Sequence, residues 1–387
     1  MNTFERDKAY VAPTYARFPV EIVSGKGALL VDAEGKEYID LGSGIAVNTL
    51  GVADEGWKAA VVEQLDSLQH ASNLYYTAPC ARLAEALCVR TGMKKVFFSN
   101  SGAEANECAI KVARKYAALH KGEEAFTILT LKNSFHGRTI TTLSATGQDV
   151  FHQSFLPLTP GFVHAAAGDL EEVKRIADSI PLAAIMMEMV QGEGGVVALD
   201  PAFVAGVAAL AKEKDILLIT DEVQCGNGRT GKLYGYMHYG ITPDVVTTAK
   251  GLGGGLPIGV TMLGEKVEDI FSPGDNGSTF GGNPAVCAGA LHILSRLDEE
   301  MLAGVTLRGN LIRERLSGKS GIKSVSGLGL MVGIETEKDA GEVIAACRER
   351  GVLVIKAKNK VRLLPPLNIP VELLEKALAV ICEAAAL

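Results

Sequence analysis

Ile216-Leu-Leu-Ile-Thr220 and Val245-Val-Thr-Thr-Ala249 are two short apolar runs, and each is followed at once by a charged residue, Asp221 and Lys250. Short runs of apolar and β-branched residues predict strands that are buried on both faces of a sheet. A charge at the end of such a strand costs free energy unless it is paired, so packing alone explains neither residue. Either one alone would be interpreted as a solvated surface charge. The two together, in this flanking sequence, indicate a functional site.

Similar runs predict the rest of the sheet. Further buried strands are predicted at three positions: residues 96–98, 126–130 and 183–187. Apolar residues at three- and four-residue spacing predict the helices between strands: residues 104–118, 170–179 and 202–214. Strands that alternate with helices indicate an α/β fold with a doubly wound, mostly parallel sheet. Ligands bind outside the carboxyl ends of such strands, which is where Asn100-Ser-Gly102, Asp221 and Lys250 fall.

The two ends of the chain predict a second, smaller α+β domain. Residues 27–40 have the pattern of a hairpin, and residues 327–335 and 352–355 have the pattern of strands. We expect a large domain over residues 57–283 and a small domain made of residues 1–56 and 284–387. No long Pro/Ser-rich linker separates them, which indicates closely packed domains that share a cleft.

Composition excludes several classes of protein. A chain of 387 residues with a net charge of −7 and no basic block is not expected to bind nucleic acid. The seven cysteines are scattered without a CxxC pair, which favours a reducing compartment and argues against a zinc site. No apolar run approaches the roughly 18 residues of a membrane span, and the charged N-terminus lacks a signal pattern. A cytoplasmic protein without a metal is expected.

An acid and a lysine at the ends of two buried strands are what pyridoxal phosphate (PLP) chemistry requires. The lysine forms a Schiff base with the cofactor aldehyde, and the carboxylate keeps the pyridine nitrogen protonated so that the ring accepts electrons. Gly251-Leu-Gly-Gly-Gly255 lacks the G-x-G-x-x-G spacing of a dinucleotide site, so we interpret it as a close-packed turn beside the lysine. A nicotinamide-dependent oxidoreductase is disfavoured for that reason.

Two loops contain further candidate ligand-binding residues. Ser99-Asn-Ser-Gly-Ala-Glu104 could bind a phosphate at a helix N-terminus, or it could be an ordinary capping box with Ser101 and Glu104. Asn133-Ser-Phe-His-Gly-Arg-Thr139 offers Phe135 to stack on a ring and Arg138 to bind a carboxylate, although without the other motifs a polar loop with one anchored phenylalanine is the preferred interpretation. His136 is interpreted as a structural residue of this loop.

The sequence resembles the class III (ornithine-type) aminotransferases over essentially its whole length. The resemblance is carried, in the order of the family, by Asn100-Ser-Gly-Ala-Glu-Ala-Asn106, Ser134-Phe-His-Gly-Arg-Thr139, Gln191-Gly-Glu-Gly-Gly195, Asp221-Glu-Val-Gln-Cys-Gly-Asn-Gly-Arg-Thr-Gly231, Thr248-Ala-Lys-Gly-Leu-Gly-Gly-Gly255 and Ser278-Thr-Phe-Gly-Gly-Asn-Pro284. Similarity to the acetylornithine branch rests on Tyr15-Ala-Arg-Phe-Pro19, Gly44-Ile-Ala-Val-Asn48, Ser72-Asn-Leu74 and Arg362-Leu-Leu-Pro-Pro366.

The resemblance implies the fold-type-I aminotransferase architecture, PLP as cofactor, and a homodimer with active sites at the subunit interface. Lys250 would form the Schiff base and Asp221 would face the pyridine nitrogen. Val223 would pack beneath the ring, Phe135 above it, and Gln224 would contact the ring hydroxyl.

The remaining implied roles concern the phosphate and the substrate. Gly102 and Ala103 would bind the phosphate through backbone amides, completed by Thr279 from the neighbouring subunit. Arg138 would hold the substrate α-carboxylate with help from Ser278. Glu193 would pair with Arg362 and mask an arginine that is needed only for 2-oxoglutarate; an incidental surface pair is the alternative.

The implied reaction is transamination of N-acetylornithine with 2-oxoglutarate, giving N-acetylglutamate 5-semialdehyde and glutamate; arginine biosynthesis runs it in reverse. Ornithine, succinylornithine, acetyl-lysine or 4-aminobutyrate are alternative donors, and a PLP-binding regulatory relative is the non-enzyme alternative. The chain departs from the family pattern at two places, and the first of them bears on the substrate. The family usually has Gly-His-x-His-Pro where this chain has Gly51-Val-Ala-Asp-Glu-Gly56, and proline where it has Met189.

Overall fold

The structure is a computed structural model that describes residues 1–386. Its first part contains three strands and four helices: α1 (Thr3–Tyr10), β1 (Ile22–Lys26), β2 (Leu29–Asp32), β3 (Glu37–Asp40), α2 (Ser43–Ala46), α3 (Glu55–Ser67) and α4 (Ala78–Thr91). Strands β2 and β3 pair antiparallel with Leu30 opposite Tyr38. The predicted hairpin over residues 27–40 is therefore confirmed.

The middle of the chain alternates strands and helices. In chain order these are β4 (Lys95–Ser99), α5 (Gly102–His120), β5 (Thr127–Leu131), α6 (Ile140–Ala145), β6 (Phe162–Ala165), α7 (Leu170–Ser179), β7 (Leu182–Met187), β8 (Val190–Gln191), β9 (Val197–Ala198), α8 (Pro201–Glu213), β10 (Leu217–Asp221), β11 (Val245–Ala249) and β12 (Gly259–Leu263). All five predicted strands and all three predicted helices of this region are present within a few residues of their expected bounds.

Seven of these strands form one sheet in the order β4-β12-β11-β10-β7-β5-β6. The pairs from β11 to β6 are parallel, whereas β12 runs antiparallel to both of its neighbours, β11 and β4. The mostly parallel α/β sheet is confirmed. Strand β12 reverses direction because residues 250–258 are too few for the crossover of about a dozen residues that a parallel connection needs.

The last part of the chain adds four helices and five short strands. They are α9 (Pro284–Arg296), α10 (Glu299–Leu316), β13 (Ile322–Leu328), β14 (Met331–Thr336), α11 (Ala340–Glu349), β15 (Val352–Leu353), β16 (Ile355–Ala357), β17 (Lys360–Leu363) and α12 (Val371–Ala386). They build a four-stranded sheet, β13-β14-β17-β16, and also complete the N-terminal sheet, β1-β2-β3-β15.

Two predicted C-terminal strands need correction. Residues 327–335 span a hairpin turn rather than one strand, because Gly327 and Gly329 adopt positive φ angles and the chain reverses between β13 and β14. Residues 352–355 divide between two sheets: β15 pairs with β3, and β16 pairs with β17. Both termini thus share the N-terminal sheet, while the domain boundaries near residues 56 and 283 stay a prediction.

Burial explains why the central strands form. Every residue of β7, β10, β11 and β12 is buried, so the apolar runs cover the sheet on both faces. The parallel strands β4, β5, β7, β10 and β11 direct their carboxyl ends to one edge of the sheet, where the loops after them meet. In the described part of the chain, no helix has both the length and the apolar character that crossing a bilayer requires.

Candidate active site

A cavity of about 570 Å³ lies at that edge of the central sheet. Five parallel strands contribute residues at or just beyond their carboxyl ends: Asn100 to Ala103 after β4, Phe135 to Arg138 after β5, Glu188 after β7, Asp221 at the end of β10 and Lys250 after β11. Asp221 and Lys250 therefore line one cavity, as their positions in the sequence predict. Tyr15, Val223 and Gln224 also line it.

Asp221 is a buried carboxylate held by three donors. Its Oδ2 accepts hydrogen bonds from Asn106 Nδ2 and His136 Nδ1, both at 2.8 Å, and its Oδ1 accepts one from the Val223 amide at 3.0 Å. Thr247 Oγ1 donates to Asn106 Oδ1 at 2.7 Å, which fixes that amide in turn. The side chain is only 3% exposed, so these bonds orient it and compensate for its lost hydration.

Neither His136 nor Asn106 was assigned this task from the sequence. The sequence predicts a structural role for His136 in its loop, and in the structure His136 is buried with its Nδ1 hydrogen-bonded to the Asp221 carboxylate. Asn106 lies on the buried face of α5 among small apolar residues. A polar amide on that face was the available signal, because a buried amide needs partners.

Lys250 is a strained and partly desolvated lysine. Its φ angle is 45°, in the left-handed region that non-glycine residues seldom adopt. Burial lowers the pKa of the Lys250 amine; the charges of Asp221 and Glu193 oppose this effect, and that of Arg362 adds to it. No hydrogen bond among residues 1–386 engages its Nζ. The amine is therefore available as a nucleophile and as a base.

Helix α5 begins at the cavity with unsatisfied amides. Ser101 Oγ accepts from the Glu104 amide at 3.2 Å, so the predicted N-cap is present, and Glu104 Oε2 accepts from the Asn100 amide at 2.8 Å. The amides of Gly102 and Ala103 meet no acceptor within the described chain. A Cβ on Gly102 would lie 2.6 Å from Val223 Cγ1, so this close packing requires glycine. Free amides at a helix N-terminus suit an anion.

Phe135 and Arg138 occupy the loop after β5. The Arg138 guanidinium lies 4.3 Å from the centroid of the Phe151 ring, and Phe135 meets Phe151 edge to face. In the part of the chain that the structure describes, Arg138 has no carboxylate within salt-bridge distance. The cation–π contact orients Arg138 while leaving its donors free for a carboxylate.

The predicted contact between Glu193 and Arg362 is present. Arg362 Nη1 donates to Glu193 Oε1 at 2.6 Å and to Gln224 Oε1 at 3.0 Å, and Arg362 is only 3% exposed. Burial raises the pKa of Glu193, but the charge and hydrogen bond of Arg362 outweigh it and hold that pKa below its ordinary value. Gln224 lines the cavity, so this ion pair lies directly behind the cavity wall.

Glu188 is a cavity residue that sequence reasoning missed. Its two oxygens accept from the Phe135 amide at 2.9 Å and the Gly192 amide at 3.3 Å, and burial raises the pKa of its carboxyl to about 7. The signal was available: Glu188 follows the run at residues 183–187 just as Asp221 follows the run at 216–220.

Two predicted residues lie outside this cavity. Ser278 Oγ accepts from the Gly281 amide at 2.9 Å and from Asn100 Nδ2 at 3.2 Å, so it contacts one cavity residue, Asn100, without lining the cavity itself. Thr279 is exposed on the surface. The structure does not bring either residue together with Arg138 within one chain, and their roles stay predictions.

These groups match the chemistry of the predicted cofactor. PLP presents an aldehyde, a ring nitrogen and a phosphate, and the cavity offers an available amine, a fixed carboxylate and two free amides. Lys250, Asp221, and Gly102 with Ala103 would hold these three groups respectively.

Comparisons with known proteins agree with this geometry. The family model described as Aminotransferase class-III matches residues 10–385. The acetylornithine aminotransferase of Haemophilus ducreyi is 50% identical over 380 residues, covering 97% of this chain and 96% of that protein. The enzyme of the same name from Aquifex aeolicus is 45% identical and covers 97% and 99%.

Solved structures show the same likeness. Ornithine aminotransferase from Toxoplasma gondii, in which PLP partially occupies the active site, superposes with a TM-score of 0.94 at 32% identity, covering 99% of this chain and 93% of that one. N-acetylornithine aminotransferase from Stenotrophomonas maltophilia superposes with a TM-score of 0.86 at 34% identity, covering 99% and 98%.

Proposed function

This chain belongs to the class III aminotransferases, a family of PLP-dependent enzymes, and we propose that it transfers the terminal amino group of N-acetylornithine to 2-oxoglutarate. The products would be N-acetylglutamate 5-semialdehyde and glutamate, and arginine biosynthesis would use the reverse direction. The observation that carries this proposal is the meeting of Lys250 and Asp221 in one cavity. The choice of donor is supported by relatives named acetylornithine aminotransferase at 41–50% identity.

The chain's own residues would divide the work of proton transfer. PLP, when bound, supplies an aldehyde for the amino group and a ring that accepts electrons. Lys250 Nζ, whose pKa is lowered by burial, would take the proton from the donor carbon that bears nitrogen and later return it. Asp221 would keep the proton on the ring nitrogen, since Asn106 and His136 hold its carboxylate in place.

The two substrates differ in charge, and the arginines would accommodate both. N-acetylornithine carries one carboxylate, for which Arg138 is free; 2-oxoglutarate carries two. While Glu193 is paired with Arg362, only Arg138 is available to bind a carboxylate of the donor. When 2-oxoglutarate enters, its second carboxylate would replace Glu193 on Arg362. A buried arginine without a partner is costly, which explains the need for the glutamate.

A panel of amino donors tests the proposed substrate. We expect kcat/KM with 2-oxoglutarate to be highest for N-acetylornithine among N-acetylornithine, ornithine, succinylornithine, acetyl-lysine and 4-aminobutyrate. Glutamate formation measured at several donor concentrations gives these values. A higher kcat/KM for any of the other four donors would replace N-acetylornithine as the assigned substrate, while leaving the transaminase assignment intact.

Arg362→Ala should impair the half-reaction with 2-oxoglutarate by about 10- to 100-fold more than the half-reaction with N-acetylornithine. The loss corresponds to about 1.5–3 kcal/mol for hydrogen bonds to a charged group. Single-turnover absorbance spectroscopy follows each half separately. Arg313→Ala is a matched control, because Arg313 donates only to the carbonyls of Gly309 and Gly327. Equal damage to both halves would show that Arg362 is a structural residue.

We also propose a homodimer in which Thr279 completes the phosphate site of the partner. The surroundings of Thr279 support this proposal, because the side chains of Leu74, Tyr76 and Phe280 are 89%, 106% and 61% exposed. Asn73 Nδ2 connects the two segments that carry them by donating to the carbonyls of Ser278 and Gly281. Exposed apolar groups of this kind mark interfaces.

Dilution to the monomer should release PLP and activity together, because each site would lose its Thr279 contact. Light scattering and PLP retention, measured over the same concentrations, check this. Thr279→Val should raise PLP loss from the dimer by about three- to tenfold, the value of one or two hydrogen bonds, whereas Thr279→Ser should not. A monomer with full activity would refute the shared site.

A further inference from the structure

The segment that follows Lys250 is an unusual piece of backbone. Lys250 itself has a φ of 45°, residues Lys250–Leu252 form a single 3₁₀ turn, and Gly254 and Gly255 have φ angles of 61° and 129°. Residues 255–258 line the cavity, so the conformation of this segment sets both the lysine and one wall. Such a conformation persists only when its surroundings hold it.

Three side chains from three other parts of the chain donate to carbonyl oxygens around Lys250, one just before it and two in this segment. Asn227 Nδ2 donates to Ala249 O at 3.1 Å, Thr49 Oγ1 donates to Gly251 O at 2.7 Å, and Trp57 Nε1 donates to Gly253 O at 3.1 Å. Each acceptor lies within three residues of Lys250. Asn227 and Thr49 are 3% and 1% exposed, so their bonds are shielded from water.

The indole ring of Trp57 packs closely between two glycines. A Cβ on Gly254 would lie 2.9 Å from the indole Nε1, and a Cβ on Gly289 of α9 would also lie 2.9 Å from it. The Asp54 carboxylate fixes the start of the helix that carries Trp57, since its Oδ1 accepts from the Trp57 amide at 2.9 Å. His292 and Arg296 of α9 lie 3.4 and 3.9 Å from that carboxylate.

Residues 51–56, where the chain departs from the family pattern, lead into this arrangement. The family's usual Gly-His-x-His-Pro is replaced by a segment whose Asp54 caps α3 and places Trp57 on the turn after Lys250. We propose that Thr49, Trp57 and Asn227 are positioning residues that hold Lys250 in its strained conformation for reaction with PLP. This proposal rests on the proposed function, because it assigns them to the lysine that binds the cofactor.

The test measures how fast full-length protein, freed of PLP, attaches added PLP to Lys250. Samples are quenched with borohydride at intervals and the pyridoxyl group is located by peptide mapping. Thr49→Val removes the hydroxyl with little change of shape, Thr49→Ser retains it, and Trp57→Phe removes only the indole donor. We expect attachment to slow by about three- to tenfold in Thr49→Val and Trp57→Phe, and to stay near the wild-type rate in Thr49→Ser.

A second readout separates positioning from general stability. The kcat of Thr49→Val and Trp57→Phe should fall by a similar factor while KM for the donor stays constant, since neither Thr49 nor Trp57 lines the cavity. The fluorescence of Trp57, the only tryptophan, should also change when PLP binds. The proposal would be overturned if Thr49→Val attached PLP and turned over at wild-type rates. It would also be overturned if PLP attachment slowed as much in Thr49→Ser as in Thr49→Val. Wild-type protein without an adduct on Lys250 would instead contradict the proposed function, and this proposal with it.

Discussion

Lys250→Ala should lower transamination by about 10⁴-fold or more, the upper range for removal of a general base, while the fold survives. In the described chain no second lysine lines the cavity, so no other amine there could bind the aldehyde and move the proton. Coupled detection of glutamate gives the rate, and thermal unfolding reports the fold. The Lys250 side chain makes no hydrogen bond in residues 1–386, so its loss should cost little stability.

Lys250→Arg is the informative companion. It keeps a positive charge near Asp221 and Glu193, but a guanidinium does not deprotonate in the accessible pH range. If the neutral amine is what matters, this variant should be as inactive as Lys250→Ala. The wild-type rate of PLP attachment should rise with pH through a midpoint below 10.5, because burial lowers the pKa of Lys250 and the neutral form reacts. Substantial turnover in Lys250→Arg would contradict this role.

Asp221→Asn should lower kcat by about 10²- to 10³-fold, the usual effect of removing one electrostatic stabiliser of the transition state. The amide retains the shape of the side chain and part of its bonding to Asn106 and His136, but it carries no charge to hold the proton on the ring nitrogen. PLP binding should fall less, since the phosphate contacts remain. Turnover and bound PLP, measured on the same preparation, separate the two effects.

Glu222→Gln provides the control for Asp221→Asn. Glu222 is the adjacent carboxyl, is fully buried, and accepts from the amides of Gly235 and Tyr236 at 2.7 Å, but it does not line the cavity. Its substitution should lower stability and leave kcat of the folded, PLP-loaded protein within a few-fold of wild type. Near-normal turnover in fully loaded Asp221→Asn would contradict the role of Asp221.

The sequence predicts those strands of the central sheet that consist of continuous apolar runs. The strands that end at Asp221 and just before Lys250 are predicted because burial on both faces favours continuous runs of apolar and β-branched residues. Strand β6 and strand β12 were not, and β12 follows a glycine-rich turn whose short length, rather than any residue type, reverses the chain. The hairpin at residues 322–336 was missed because its glycines lie within an apolar pattern.

The site was predictable where one residue type carries the chemistry, as for Lys250 and Asp221. The site is not predictable from the sequence where a residue acts by holding another residue in position. His136 and Asn106 reach Asp221 across separations of 85 and 115 residues, and Thr49 reaches Gly251 across 202. A local sequence pattern does not indicate which distant residues will form a hydrogen bond, because a buried histidine, asparagine or threonine occurs in many loops and helices. Only the folded chain brings them together.

The most direct test of the account is a single turnover of PLP-loaded protein with N-acetylornithine and no 2-oxoglutarate. We expect one equivalent of N-acetylglutamate 5-semialdehyde per bound PLP, with retention of the amino group on the protein, and then one equivalent of glutamate when 2-oxoglutarate is added. Mass spectrometry quantifies both products. Absence of semialdehyde until both substrates are present, or its absence altogether, would contradict the claim that this cavity performs transamination in two separate halves.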